Sequence, residues 1–297
     1  MEKEIDNLVN LSKKIGSYPE FAQGGGGNIS VKINQNLMAI KASGYLLKDV
    51  KNNDGFSFVN HQNIANYLKN KASPKTTEQD FDSFIVSNKI HLDGYPNLKP
   101  SIETGFHSIL PQKYIIHTHS VYVNILCCSK EGRDIVKKLF PNAFWVQYAN
   151  PGKEITLEIT GSIDNISSDL YFMQNHGIIV CSETAEDAYN LHKFVNDKII
   201  GYFNIDNGYN FKDNYNYDFK NYNKDAVLFP DQVIYLMSEN LQKTNAGTET
   251  LYAYNYILNN IKNLNLTANF ISKKDINYIE NMESEKYRKN LIANPTI

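Results

Sequence analysis

The sequence predicts a mixed α/β protein, and three observations carry that prediction. Short apolar or alternating runs read as strands at residues 28–33, 37–42, 114–119, 144–148, 170–174 and 177–181. Between them lie stretches with apolar residues at helical spacing, at 1–19, 102–110, 120–128, 132–140 and 184–203. Gly, Pro and Asn punctuate the joins. At 297 residues the chain is long enough to bury a large core, as one domain with an appendage.

Each element has its own warrant. Ile5, Leu8, Val9, Leu11 and Ile15 make one face of an opening helix, which Gly24-Gly25-Gly26-Gly27 ends. Asn28–Ile33 and Leu37–Ala42 follow as strands, the second closing at Ser43-Gly44. Residues 50–98 are polar and mixed, and read as strand, helix and loop. Pro100-Ser101 leads into a helix over Ile102–Leu110, placing Glu103 in its first turn, and Pro111 stops it. Phe144–Tyr148 ends at the Asn150-Pro151-Gly152 turn. Thr184–Phe203 is amphipathic and opens at Ser182-Glu183-Thr184. Residues 204–224 are rich in Asn, Asp, Tyr and Lys with weak periodicity and read as a linker. A smaller region opens at Leu228-Phe229-Pro230-Asp231 and ends in a charged helix around Met282–Leu291.

Bulk properties exclude several classes. The hydrophobic share of 42% and charged share of 21% are those of a soluble globular chain. A formal net charge of −2 with scattered basic residues gives no nucleic-acid footprint. No run approaches the ~20 apolar residues of a membrane span, and the polar N-terminus lacks a signal-peptide core. Three cysteines, Cys127, Cys128 and Cys181, are an odd number in apolar surroundings. They read as buried thiols of a cytoplasmic protein and are not proposed as metal ligands.

The chemistry concentrates in Tyr114-Ile115-Ile116-His117-Thr118-His119 and in Gln174-Asn175-His176-Gly177. Residues two apart on a strand share a face, so His117 and His119 project together, roughly 6–7 Å apart. Two imidazoles on one apolar face are costly to bury unless something binds them. With His176 as a third ligand they make an open three-histidine metal site. Glu103 reads either as a carboxylate favoured by a helix N-terminus or as a general acid/base beside the metal. His107, one turn on, reads as supporting Glu103 or as a core histidine. The Gly24–Gly27 run reads as a flexible turn or, with Gly26, Asn28, Ser43, Gly44 and Ser101, as a phosphate cradle. Tyr148, at a strand end, reads as packed interior or as a substrate-contacting phenol. No lysine stands out for Schiff-base chemistry.

Taken in order, Gly25-Gly26-Gly27-Asn28-Ile29-Ser30, Ala42-Ser43-Gly44, Pro100-Ser101-Ile102-Glu103, His117-Thr118-His119 and Asn175-His176-Gly177 resemble the class II aldolase/adducin family. The stretches Lys99–His107, Leu228–Leu236 and Glu283–Arg288 are similar to the aldolase half of bacterial proteins fused to a short-chain dehydrogenase. The resemblance implies an α/β/α fold with a central, mainly antiparallel sheet flanked by helices, plus a small helical C-terminal extension. It implies a catalytic domain over residues 1–222 and an extension over 223–297 packed on the core, as a stand-alone protein. It implies a homotetramer with sites at subunit interfaces.

By the same resemblance, His117, His119 and His176 match the ligands of Zn2+ or another divalent transition metal. Glu103 matches the acid/base, which can also approach the metal, and Asn28, Ser43, Gly44 and Ser101 match the contacts to a substrate phosphate. Ile102 stands where simple aldolases often carry a second serine, and Gly25 where many members carry threonine. Both changes remove hydroxyl donors. The expected function is a zinc-dependent aldolase taking a ketose 1-phosphate to dihydroxyacetone phosphate and an aldehyde through a metal-stabilised enediolate. The alternatives are a 4-epimerase, dehydratase or decarboxylase on the same chemistry, or a non-catalytic adducin-like scaffold.

Overall fold

The computed structural model describes residues 1–163, 168–205, 208–212, 219 and 222–282. Among them, one sheet holds β1 (Asn28–Lys32), β2 (Leu37–Lys41), β3 (Phe56–Asn60), β4 (Tyr114–Thr118), β5 (Phe144–Val146), β6 (Leu170–Met173) and β7 (Gly177–Ser182). Their spatial order is β3-β2-β1-β4-β7-β6-β5. Neighbours run antiparallel except β5 and β6, which are parallel.

Both faces of the sheet are covered. On one side pack α1 (Glu2–Gly16), α5 (Val121–Cys127), α8 (Ala185–Phe203), α9 (Pro230–Tyr235) and α11 (Asn245–Asn263), through Leu8, Val123, Val195, Val233 and Ile257. On the other lie α2 (His61–Asn70), α3 (Glu78–Ser87), α4 (Thr104–Ile109) and α7 (Lys153–Ile163), through Ile64, Phe81, Phe106 and Ile155. Also in the first layer are α6 (Gly132–Leu139), α10 (Glu239–Gln242) and α12 (Lys273–Asn281), through Val136, Leu241 and Ile279. The mixed α/β fold with a mainly antiparallel sheet and a helical C-terminal region is therefore the one expected.

Strand alternation places the chemistry. Ile116, Ile178 and Val180 enter the α1/α5/α8 core, while Ile115, Ile179 and Cys181 enter the α2/α4/α7 core. A strand buried on both faces reads as a continuous apolar run, which is why 114–119 and 177–181 are so apolar. His117 shares its face with Ile115 and so points to the α4 side. The register sets Asn28 directly across from His117.

Two expectations shift. The helix after Pro100 begins at Thr104, with Glu103 as its N-cap residue and not inside its first turn. The 144–148 strand stops at Val146. Residues 50–98 hold β3, α2 and α3, the strand and helix content expected there. Past Met282, the charged helix expected around Met282–Leu291, the Glu283–Arg288 run and much of the 204–224 linker lie outside the described residues.

Candidate functional site

Four side chains converge where β4, the β6–β7 turn and the start of α4 meet. His117 is held by the sheet: its Nδ1 lies 3.0 Å from the Ile178 carbonyl of β7. A carbonyl only accepts, so Nδ1 carries the proton and Nε2 presents a lone pair. His119 sits one residue beyond the end of β4, and its Nδ1 faces Asp231 Oδ2 at 2.7 Å. His176 lies in the turn after Asn175, which adopts φ 53°. Asn175 holds that turn by donating from Nδ2 to the Leu228 carbonyl (2.8 Å) and the Asn269 carbonyl (2.7 Å). Gly177 follows because a Cβ there would fall 2.2 Å from the Thr118 carbonyl oxygen.

The three rings have centroids 4.9–5.1 Å apart. All three are buried, and one nitrogen of each lies within 4.8 Å of the others. His117 Nε2 and His119 Nε2 are 3.0 Å apart. With both Nδ1 protons directed outward, two lone pairs face each other, an arrangement that is repulsive without a cation or proton between them. Ligands of one tetrahedral zinc, at Zn–N of about 2.0–2.1 Å, sit roughly 3.3 Å apart. The donor set therefore fits a divalent transition ion.

Glu103 completes the cluster. Oε1 is 3.1 Å from His176 Nε2 and Oε2 is 3.5 Å from His117 Nε2. Burial pushes the carboxyl pKa up, but the neighbouring His117 and His176 outweigh it and hold Glu103 well below the ordinary carboxylate value. Burial lowers His117 to about 3 despite the opposing carboxylate. A carboxylate beside neutral imidazole is the protonation state a metal centre requires.

A buried relay stands behind Glu103. Asn28 Nδ2 donates to Glu103 Oε2 at 2.6 Å and to Ser101 Oγ at 3.2 Å. Asn28 Oδ1 is bound by His107 Nε2, and His107 Nδ1 accepts from Ser30 Oγ at 2.7 Å. The donors run in one direction, Ser30 to His107 to Asn28 to Glu103. The His107 ring thus reaches the Glu103 carboxylate through Asn28, while its backbone N–H donates to the Glu103 carbonyl at 3.5 Å. Burial lowers the His107 pKa well below its usual value, so the ring is neutral, as the relay requires.

One cleft exposes these groups. Gly26, Asn28, Ser43, Gly44, Ser101, Glu103, His119 and His176 line it, together with Lys41, Ile102, Pro230 and Asp231. His117 and His107 are fully buried beneath it. Tyr148 lies elsewhere, its hydroxyl on Asn150 Oδ1 at 3.1 Å.

The glycine loop differs from a cradle. Gly24 N–H donates to Glu249 Oε2 (2.6 Å), Gly25 N–H to the Tyr235 hydroxyl (2.9 Å) and Gly26 N–H to the Gln23 carbonyl (2.9 Å). Gly26 thus enters the site through its missing Cβ and not through its amide.

Two lining residues escape the sequence reading. Lys41, at the end of a strand that is otherwise apolar, donates to the Tyr45 carbonyl at 2.7 Å and the Gly25 carbonyl at 3.3 Å. A charge closing an apolar run is a usable signal. Asp231 has no comparable signal, because its partner is 112 positions away.

An α/β/α domain with a three-histidine, one-carboxylate cleft defines a class of protein, and comparison with known sequences agrees. The Class II Aldolase and Adducin N-terminal domain matches residues 6–197, and the chain belongs to that family. It is 30% identical to the uncharacterized oxidoreductase YuxG of Bacillus subtilis, over 67% of this chain and 30% of YuxG. The chain thus spans less than a third of that relative's length. Among solved structures it resembles the N-terminal class II aldolase domain of a conserved Thermoplasma acidophilum protein. There the TM-score is 0.59 and the identity 23%, over 67% of this chain and 93% of that one. It also resembles YgbL of Klebsiella pneumoniae, a candidate aldolase/epimerase/decarboxylase. That match has a TM-score of 0.51 and 19% identity, over 69% of this chain and 90% of YgbL. These two likenesses speak to the fold alone.

Proposed function

We propose that the chain is a divalent-metal aldolase, with zinc the first candidate ion, that makes or breaks a carbon–carbon bond in a sugar phosphate. The reaction proposed takes a ketose 1-phosphate to dihydroxyacetone phosphate and an aldehyde. The observation that carries this reading is the meeting of His117, His119, His176 and Glu103, with the three histidines within 4.8 Å of one another and each of the four groups within 3.5 Å of at least one other. A bound divalent ion supplies Lewis-acid polarisation of substrate oxygens.

The chain's own residues do the rest. Glu103, ionised and braced by Asn28, removes the proton from the nucleophilic carbon when the bond is made; when the bond is cleaved a proton returns to that carbon from Glu103, and the hydroxyl that becomes the aldehyde gives up the balancing proton. Ser43, Gly44, Ser101 and Lys41 hold the substrate's anionic end. Lys41 offsets the hydroxyl missing at Ile102, and the amides of Gly24, Gly25 and Gly26 are committed to the protein itself. The proposal extends to a catalytic domain over 1–222 with a packed extension over 223–297, a homotetramer, and a cytoplasmic location. Among the described residues no helix is long and apolar enough to cross a membrane.

The test is a retro-aldol assay on a panel of ketose 1-phosphates with zinc-loaded and chelator-stripped protein. Cleavage that depends on added metal is the expected result. Equal cleavage by metal-free protein contradicts the reading, and so does stoichiometric zinc with no cleavage of any member.

A further inference from the structure

The C-terminal region reaches into the centre at one buried carboxylate. His117 is fixed from within the sheet, but His119 lies past the last residue of β4, and strand pairing does not set its ring. Its outer nitrogen meets Asp231 Oδ2 at 2.7 Å instead, with both residues buried. Asp231 stands in the first turn of α9. That helix start is pinned by Gln232, whose Oε1 accepts from Leu228 N–H at 2.7 Å and Phe229 N–H at 3.2 Å. The glycine loop is shaped around the same pair. A Cβ on Gly26 would fall 2.5 Å from Asp231 Oδ2 and 2.7 Å from His119 Nδ1.

From this geometry we infer that Asp231 is the positioning carboxylate of the metal centre, holding His119 with Nδ1–H outward and Nε2 aimed at the ion. The inference rests on the metal reading above. An imidazole whose outer N–H donates to a carboxylate is fixed in tautomer and ring angle, and its inner nitrogen becomes more basic toward a metal. The segment following the family domain is thereby part of the centre and more than a cover over the sheet. A plain buried ion pair would also tie α9 to β4, and it makes a different prediction. It would contribute to stability with or without metal, whereas a positioning carboxylate contributes to metal affinity.

The experiment titrates metal-free wild type and Asp231→Asn with Zn2+ against a competing chelator, and records the Tm of each with and without Zn2+. We expect the variant to bind Zn2+ about 10–100-fold more weakly. Its metal-free Tm should lie close to the wild-type value, with most of the zinc-induced rise lost. Unchanged zinc affinity overturns the inference, whether or not the metal-free Tm falls. Gly26→Ala is a second route to the same pair without changing a charge, and it should also weaken Zn2+ binding. For either variant that does not fold, nitrogen-15 spectra of zinc-loaded wild type decide the point. His119 protonated at Nδ1 supports the assignment, and His119 protonated at Nε2 overturns it. Wild type that takes up no stoichiometric Zn2+ overturns the metal reading itself, and this inference with it.

Discussion

The imidazole end of the cleft and its glycine-loop end differ in where their polar groups are spent. At the imidazole end, His117 and His119 commit their outer nitrogens to the Ile178 carbonyl and Asp231, so the inner nitrogens are left facing one another. At the glycine end the amides of Gly24, Gly25 and Gly26 are turned into the protein, toward Glu249, Tyr235 and the Gln23 carbonyl. The first end is preorganised for a ligand that binds all its groups at once. The second offers a few side chains that act nearly independently. Substitutions at the first end should therefore act as large, coupled losses and those at the second as small, separable ones.

The largest effect should come from Glu103→Gln. Removing the base while keeping its shape should lower turnover by roughly 10²–10⁴-fold. Zinc should still be bound, which turnover assays paired with metal analysis would establish. A variant losing less than tenfold would remove Glu103 from the chemistry and leave it a structural acceptor.

Next is Asn28→Ala, which strips Glu103 Oε2 of a donor and His107 of its acceptor. An unsatisfied buried group costs about 1–3 kcal/mol, so the melting temperature should fall along with turnover. His107→Gln should cost less activity than Asn28→Ala, because His107 is one bond further from Glu103. If the two rank the other way, His107 acts by a route other than the relay.

Smaller again is Ser43→Ala. It removes a hydroxyl from the end proposed to hold the substrate's anion, at about 0.5–1.5 kcal/mol per hydrogen bond. KM should rise by a few-fold to roughly tenfold with kcat held, the mark of uniform binding. Ser101→Ala should lower kcat as well, because its hydroxyl also accepts from Asn28 Nδ2 and the Glu103 N–H. A fall in kcat at constant KM for Ser43→Ala would move that serine to the imidazole end.

The smallest effect at neutral pH, and one that grows on acidification, belongs to His192. Its Nε2 meets Thr118 Oγ1 at 2.9 Å, on the residue between His117 and His119. Burial lowers its pKa from 6.5 to about 4. Between those values the unfolded chain binds a proton that the folded chain does not, so stability falls as pH drops from 6.5 towards 4 and levels off below. His192→Gln should flatten that part of a stability–pH curve measured by denaturant unfolding. An unchanged slope would assign the acid sensitivity to other groups.

Much of the imidazole end was legible in the sequence. Period-two alternation puts His117 and His119 on one face, and a Pro-Ser lead-in brings Glu103 to the start of a helix. The strands are similarly legible, because apolar runs bounded by turn residues leave little freedom. Side chains joined across long sequence separations were not. Asp231 follows Phe229-Pro230 as any helix-opening acid does, and only folding brings it to His119. Gly26 is the opposite case: its place in a glycine run is plain in the sequence, but its role lies in the space a Cβ would occupy and not in its amide. A supporting role for His107 follows from its place one turn after Glu103, while its route through Asn28 depends on the β1–β4 register. Lys41 shows in the sequence only as a charge that closes an apolar run.

Anomalous diffraction at the zinc absorption edge from crystals of zinc-loaded protein would locate the ion itself. The expected result is one strong peak at about 2.0–2.1 Å from a ring nitrogen of each of His117, His119 and His176, with Glu103 beside it. A cleft without a peak, or a peak that engages at most one of the three rings, would rule out the three-histidine centre.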